Sequence, residues 1–437
     1  MNDGFHSRSY LIGSLFCFCL IVPQSLYAQP VEQPPPVPEK TVVEQDNQAE
    51  QKSPSEVEKQ EQAREREKSE DEDPLAQRQA DRVDRPEEWA TEPDEFKLYG
   101  SIRVRHRWTG EESFWADGSS RIGVTGRWQY QPNQFLFGRL EAGVNILDEL
   151  DFLVNRGANS PQSQAGESLF TRLMYVGIET PNFILTGGKN WSSYYQVSGF
   201  TDRFQGTGAS ASGTFNAGTD GGPTGTGRAD RILQTRVLID ELEKVGLKPF
   251  NLNVQVQHGE PIPEVPDASY ATTIGLSAML VTRKDLSFGL AYNHANIAES
   301  DIPSLKPHGI DGDAQAAIAG LRWFSDKWYL ATTLARLRNH ETTDEDIYFD
   351  GWGWEVYGHY NLHKSWWAVA GWNILEPDSD QTQAGDYNIK YGVIELRYSF
   401  KKFEKMLYAN AQLESSHKAD GTRLGNIYTV GVRWDLP

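Results

Sequence analysis

From Phe96 to the end of the chain, apolar and polar residues alternate with a period of two in run after run. Leu252, Val254 and Val256 alternate with Asn251, Asn253, Gln255 and Gln257, and Leu286, Phe288, Leu290 and Tyr292 with Ser287, Gly289, Ala291 and Asn293. Leu407, Ala409, Ala411 and Leu413 alternate in the same way with Tyr408, Asn410, Gln412 and Glu414. Successive side chains of a strand point to opposite faces, so this pattern suits strands with one face on an apolar phase and the other on water. It predicts sixteen strands, at 97–108, 119–130, 135–147, 169–180, 183–195, 228–238, 250–259, 270–282, 285–297, 313–324, 327–339, 352–362, 365–376, 386–400, 404–416 and 425–436. Connections after odd-numbered strands are long. Those after even-numbered ones are mostly tight, as at Pro181-Asn182, Arg283-Lys284, Ser325-Asp326 and His363-Lys364, with 239–249 a longer exception. Short turns at one rim and long loops at the other predict an all-β fold, a transmembrane antiparallel up-and-down β-barrel of about sixteen strands.

Aromatic residues fall near the predicted strand ends: Trp108, Trp128, Tyr130, Trp323, Trp328, Tyr329, Trp354, Trp366, Trp372 and Trp434. Rings with an apolar body and a polar edge belong at a membrane interface, so these predict a girdle. A soluble β-sandwich or β-helix would instead close its apolar face with a second sheet and would not need alternating loop lengths.

Mean hydropathy is −0.57 and no apolar run reaches the ~18–20 residues of a membrane-spanning helix. That alone would suggest a soluble acidic protein, but barrel strands show lipid only every second side chain. The first 95 residues differ in character. Residues 1–28 carry Arg8, an apolar stretch from Tyr10 to Val22 and a small-residue site at Ser25-Leu26-Tyr27-Ala28, the layout of a cleaved signal peptide. Cys17 and Cys19 lie within it, which leaves a mature chain without cysteine. Residues 29–95 open with five prolines in nine residues and then carry 21 acidic against 9 basic residues in all. With so few apolar residues they cannot bury a core, and the expectation is a disordered, partly helical tether; no sustained apolar seam supports a coiled coil. The remaining domain is 96–437. The net charge of −19 argues against nucleic acid as a partner.

Catalytic motifs are lacking. His106, His258, His294, His308, His340, His359, His363 and His417 are scattered without metal-ligand spacing, and there is no nucleophile turn, phosphate loop or dinucleotide fingerprint. The expectation is a protein without catalytic residues, metal or cofactor.

Several stretches are more specific. Thr171-Arg172-Leu173-Met174-Tyr175-Val176-Gly177-Ile178, then Gly187-Gly188-Lys189-Asn190 and Tyr195-Gln196-Val197-Ser198-Gly199-Phe200-Thr201-Asp202, resemble the fourth strand, fifth strand and third-loop opening of the general diffusion porins. Lys97-Leu98-Tyr99-Gly100, Ser120-Arg121-Ile122-Gly123, Gly138-Arg139-Leu140-Glu141, Thr226-Gly227-Arg228 and Tyr428-Thr429-Val430-Gly431-Val432 match the same family. The resemblance spans about 340 residues and is strongest in the first half.

It implies a homotrimer of sixteen-stranded barrels in the outer membrane, in contact with its lipid and lipopolysaccharide, with residues 29–95 in the periplasm. It also implies passive diffusion of small hydrophilic solutes past a third loop folded into the lumen. That loop, about 196–227, is rich in Gly, Ser and Thr; on sequence alone a surface loop outside the barrel is the alternative. By resemblance Arg121, Arg172 and Arg228 form the basic side of the pore constriction. Ser101 stands where the family has a lysine, while Arg103, Arg105 and Arg107 share its parity, and Arg139 adds a further cation. The acidic side is thinner: Asp202 matches an acidic position of the loop, Glu141 lies on the wall, and Gly206 stands where a second loop carboxylate is usual, with Asp220 as a substitute further on. Few acids facing many guanidinium groups implies a weak anion preference. The alternative is that these arginines merely pair with carboxylates along the lumen. Arg231 has the wrong parity for the lumen, which suggests a locally mis-phased strand. Small residues at Gly138 and Ala142 suit a subunit interface. Two other functions fit the same chain: a substrate-selective channel for a sugar, dicarboxylate or phosphate, and a structural anchor whose 29–95 segment holds the cell wall or another envelope partner.

Overall fold

The computed structural model describes residues 95–110, 112–147, 169–239, 250–282, 285–400 and 405–436. The signal peptide 1–28, residues 29–94 of the tether, the acidic stretch at 148–151 and most of the long turn 239–249 lie outside the described residues. Seventeen strands form a single antiparallel sheet: β1 (Glu95–Trp108), β2 (Ser113–Asp117), β3 (Arg121–Gln131), β4 (Gln134–Val144), β5 (Leu169–Glu179), β6 (Phe183–Trp191), β7 (Arg228–Ile239), β8 (Phe250–His258), β9 (Thr272–Val281), β10 (Leu286–Ala295), β11 (Ala314–Phe324), β12 (Trp328–Thr342), β13 (Tyr348–His363), β14 (Trp366–Pro377), β15 (Ile389–Phe400), β16 (Lys405–Glu414) and β17 (Ile427–Leu436).

Apart from β2 and β3, which both lie against β1, each strand pairs with its sequence neighbours, and β17 returns to β1, Gly100 opposite Leu436 and Trp108 opposite Tyr428, so the sheet closes. Closure leaves no open edge, which a spanning sheet requires where no water can satisfy backbone groups. β2 and β3 are one wall strand interrupted by a bulge. β1 pairs with both, Val104 opposite Asp117 and Ser101 opposite Arg121, so three steps on β1 face four on its neighbour. The barrel therefore has sixteen wall strands, and the run predicted at 119–130 begins further back, at Ser113.

The period-two pattern faces as expected. Leu252, Val254 and Val256 are exposed on the outside, while Asn251, Asn253, Gln255 and Gln257 are buried inside. Trp108, Trp128, Tyr130, Trp323, Trp328, Trp354, Trp366, Trp372 and Trp434 all show on the outer face. Tyr329 is a correction to the girdle. It is 0 % exposed on the inner face, because it follows the outward Trp328 by one residue, and its hydroxyl donates to the Phe200 carbonyl at 2.8 Å.

A second correction concerns the strand predicted at 183–195. It ends at Trp191, and the chain then makes one short helix, α1 (Tyr195–Ser198), at the start of the third long loop, 192–227. Burial throughout this loop excludes the surface-loop alternative: Val197, Phe200, Phe204 and Ala211 are buried against the inner wall of β9 to β15. Inner-face glycines make the seat. A Cβ on Gly289 or Gly320 would come within 2.8 or 2.7 Å of a Val197 methyl, and one on Gly371 would strike the Phe204 ring. Each buried Val or Phe side chain contributes ~1.5–3 kcal/mol, so Val197, Phe200 and Phe204 make a strong apolar anchor.

Candidate functional site: the lumen constriction

The candidate constriction group is built on the bulge between β2 and β3. The Asp117 carboxylate accepts from the backbone N–H groups of Ser119 and Ser120, both at 2.7 Å, and Ser119 takes a left-handed φ of +76°. This turn presents Ser119 to two arginines: Arg121 Nε donates to its carbonyl at 3.3 Å and Arg172 Nη1 to its hydroxyl at 2.8 Å.

Arg172 reaches this place through a second irregularity. β4 and β5 slip register between Glu141 and Ala142, Glu141 facing Leu173 and Ala142 facing Thr171. A bulge lets two successive residues share a face, and Arg172 and Leu173 are both buried on the inside. Strict alternation along β5 would have sent one of them to lipid.

At the centre lies Glu141, 1 % exposed. Its Oε1 accepts from Arg172 Nε at 2.9 Å and lies 3.9 Å from Arg121 Nη1; its Oε2 accepts from Arg139 Nη2 at 2.5 Å and from the Tyr99 hydroxyl at 2.9 Å. Arg139 Nε in turn donates to the Tyr99 hydroxyl at 2.6 Å. Three guanidinium groups thus surround one carboxylate, and these four side chains carry an excess of two positive charges.

The remaining site residues have other partners. Arg228 is across β6, where its Nε is 3.4 Å from Asp220, which also meets Lys189 Nζ at 2.9 Å; Lys189 continues to Asp230 at 2.5 Å. Two cations and two acids leave that second group balanced. Burial on its own would raise the Asp220 carboxyl, but Lys189 and Arg228 outweigh it and hold the group below the ordinary carboxylate range. Arg103 is half-buried and donates from Nε to Ser101 at 2.8 Å. Arg105 is wholly buried and its Nη1 donates to the Gly206 carbonyl at 3.3 Å, tying the first strand to the third loop; Arg107 beside it is also wholly buried. Asp202 is partly exposed on the loop and accepts from the Tyr195 hydroxyl at 2.9 Å. The neighbouring Arg203 turns away, its guanidinium 4.0 Å from the centre of the Tyr329 ring.

Arg231 follows the mis-phasing that its parity suggests. Ala229 faces Asn190 and Ile232 faces Gly188, so β7 holds one extra residue, and Arg231 takes a φ of +49°. Its side chain points outward and Nε donates to Glu260 at 2.6 Å.

Two inner-wall groups carry no recognisable motif. Glu355 of β13 accepts at Oε1 from the backbone N–H groups of Ala211 and Ser212, at 2.8 and 3.0 Å, and at Oε2 from the Thr201 hydroxyl, pinning the loop. Arg397 pairs with Glu395 and donates from Nη2 to the Arg203 carbonyl at 2.8 Å. Their inward parity is legible in the sequence. Their partners are mainly backbone groups of a distant loop, which leave no sequence signature.

No protein-family model and no curated protein sequence matches the chain. Solved structures do. OmpF of Salmonella typhi, in complex with daunomycin, aligns at 18 % identity over 78 % of this chain and 98 % of that one, with a TM-score of 0.63. The outer-membrane channel DcaP of Acinetobacter baumannii aligns at 12 % identity over 79 % and 98 %, with a TM-score of 0.57. The in-vitro folded outer-membrane protein OmpT of Vibrio cholerae, in a trimer form, aligns at 14 % over 79 % and 100 %, with a TM-score of 0.51. At these identities the likeness is one of architecture, and with the closed sixteen-stranded wall and the inward third loop it is decisive: the chain has the fold of the general porins of the outer membrane.

Proposed function

We propose that the protein is a passive outer-membrane channel for small hydrophilic solutes and ions, with a weak preference for anions. The observation that carries this reading is the group of Arg121, Arg139 and Arg172 around Glu141, three guanidinium groups that outnumber Glu141 and the Asp117 carboxylate of the adjoining turn on a lumen wall. Guanidinium groups stay charged at any relevant pH, and a low-dielectric wall focuses their field onto a passing ion. The reading involves no catalytic step, metal or cofactor.

A homotrimer suits the outer face. Gly126 faces Gly138, Gly138 faces Val176, and Val176 faces Gly187, so three glycines cross β3, β4 and β6 in one row. They floor an open apolar groove of about 840 Å³ walled by Trp128, Leu136, Ile178 and Leu233. Such a floor allows close backbone approach by a neighbouring subunit. The long-loop rim would then face outside, and the chain termini and segment 29–95 the periplasm.

Planar-bilayer recording together with swelling of proteoliposomes in neutral sugars tests the channel reading. Stepwise conductance and swelling rates that rise linearly with sugar concentration are expected. Saturating flux would favour the substrate-selective reading, and no conductance at all the structural-anchor reading.

A further inference from the structure

The geometry points to Ser119 as a positioning residue that sets ion selectivity by holding two arginines of the constriction at fixed spacing. This inference rests on the anion-selective reading above.

Three observations meet at this residue. Its φ of +76° lies in the left-handed region, where a serine is strained and glycine is at ease. The Asp117 carboxylate clamps the backbone N–H groups of Ser119 and Ser120, so the turn is held by a side chain other than the serine's own. The Ser119 hydroxyl and carbonyl each accept from a different arginine, Arg172 Nη1 and Arg121 Nε. A glycine would satisfy the backbone better and would keep the carbonyl contact with Arg121. What only the serine adds is the hydroxyl, and its partner is Arg172.

That bond decides where the Arg172 charge sits. Among the contacts that hold Arg172 are Nε on Glu141 and Nη1 on Ser119. Without the Ser119 hydroxyl the Nη1 end of the guanidinium loses one of its restraints and gains freedom to move. A charge free to move along the wall focuses the field on a passing ion less well than a fixed one.

The test uses the full-length protein in planar bilayers and reads the zero-current potential across a potassium chloride gradient. Ser119→Gly should assemble and melt as well as the unmutated protein, yet shift the potential towards zero by less than Arg172→Ser does. In the Arg172→Ser background the same glycine should cause no further shift, because Ser119 acts through Arg172. Ser119→Asn, which tolerates a left-handed φ and offers an amide oxygen, should restore most of the preference. The inference is overturned if Ser119→Gly leaves the potential unchanged while Arg172→Ser moves it, or if the two shifts add. It is also overturned if the glycine variant fails to assemble, since the serine would then be a folding determinant. A null effect of Arg172→Ser itself would instead overturn the arginine reading on which it rests.

Discussion

Glu355→Ala isolates how the third loop is held, because it removes three bonds to the loop and leaves the apolar seat intact. Hydrogen bonds contribute ~0.5–1.5 kcal/mol each, and up to ~3 where the acceptor is charged, so the gross loss is roughly 2–9 kcal/mol. Burying that carboxyl cost several kcal/mol in desolvation, which the alanine recovers, and the net weakening is about 2–4 kcal/mol. Against this stand Val197, Phe200 and Phe204, which together contribute roughly 5–9 kcal/mol of apolar burial. The apolar anchor is the larger, so the loop should stay in the lumen while the stretch 201–212 fluctuates. Single-channel current noise should rise with little change in mean conductance. Adding Phe204→Ala, itself a loss of ~3–5 kcal/mol, should release the loop and raise conductance sharply. The account is refuted if Glu355→Ala alone gives the conductance of the double variant, or if its noise and its protease access at 201–212 match those of the unmutated protein.

Other consequences are simpler to check. Mild protease should trim the purified protein to a resistant barrel beginning near Phe96, because the acidic segment before it lacks the apolar residues for a core; a resistant fragment from 29–95 would contradict this. Gly138→Trp should fill the outer groove and convert trimers to monomers on unheated gels, while wild-type protein that runs as a monomer would remove the basis for the interface. Asp220→Asn should loosen the return of the third loop at neutral pH, read as faster local hydrogen exchange at 220–228. Since Lys189 and Arg228 hold the folded Asp220 carboxyl below its ordinary range, its contribution is present above that range and is lost as pH falls through the lower folded value, so the two proteins should converge only in strong acid.

The fold was almost wholly legible because a barrel strand must alternate, and alternation survives in a single sequence. Sixteen strands and both rims follow from it. Three departures occur where the backbone breaks period two: the Gly118–Ser120 bulge, the slip beside Arg172, and the extra residue before Ile232. Parity placed Arg103, Arg105, Arg121 and Arg139 on the inner face, but parity says nothing of partners. Hence Arg105 is legible as an inward cation and not as a tie to Gly206, and the resemblance that sets Arg228 beside Arg121 and Arg172 does not foretell its pairing with Asp220. Glu355 was invisible as an anchor because it binds backbone.

The central claim is that selectivity lies in the wall arginines and not in the net charge of the chain. At ~0.15 M salt the screening length is ~8 Å, so acids in outer loops and in the 29–95 segment act weakly on an ion at the constriction. Arg121, Arg139 and Arg172 outnumber Glu141 and the neighbouring Asp117 by one charge, and removing Arg121 and Arg172 removes that positive excess. The most direct measurement is therefore the zero-current potential of the unmutated pore and of Arg121→Ser/Arg172→Ser across the same salt gradient. The account predicts an anion-favouring potential that vanishes in the double variant; a cation-favouring unmutated pore, or a preference that survives both substitutions, would contradict it.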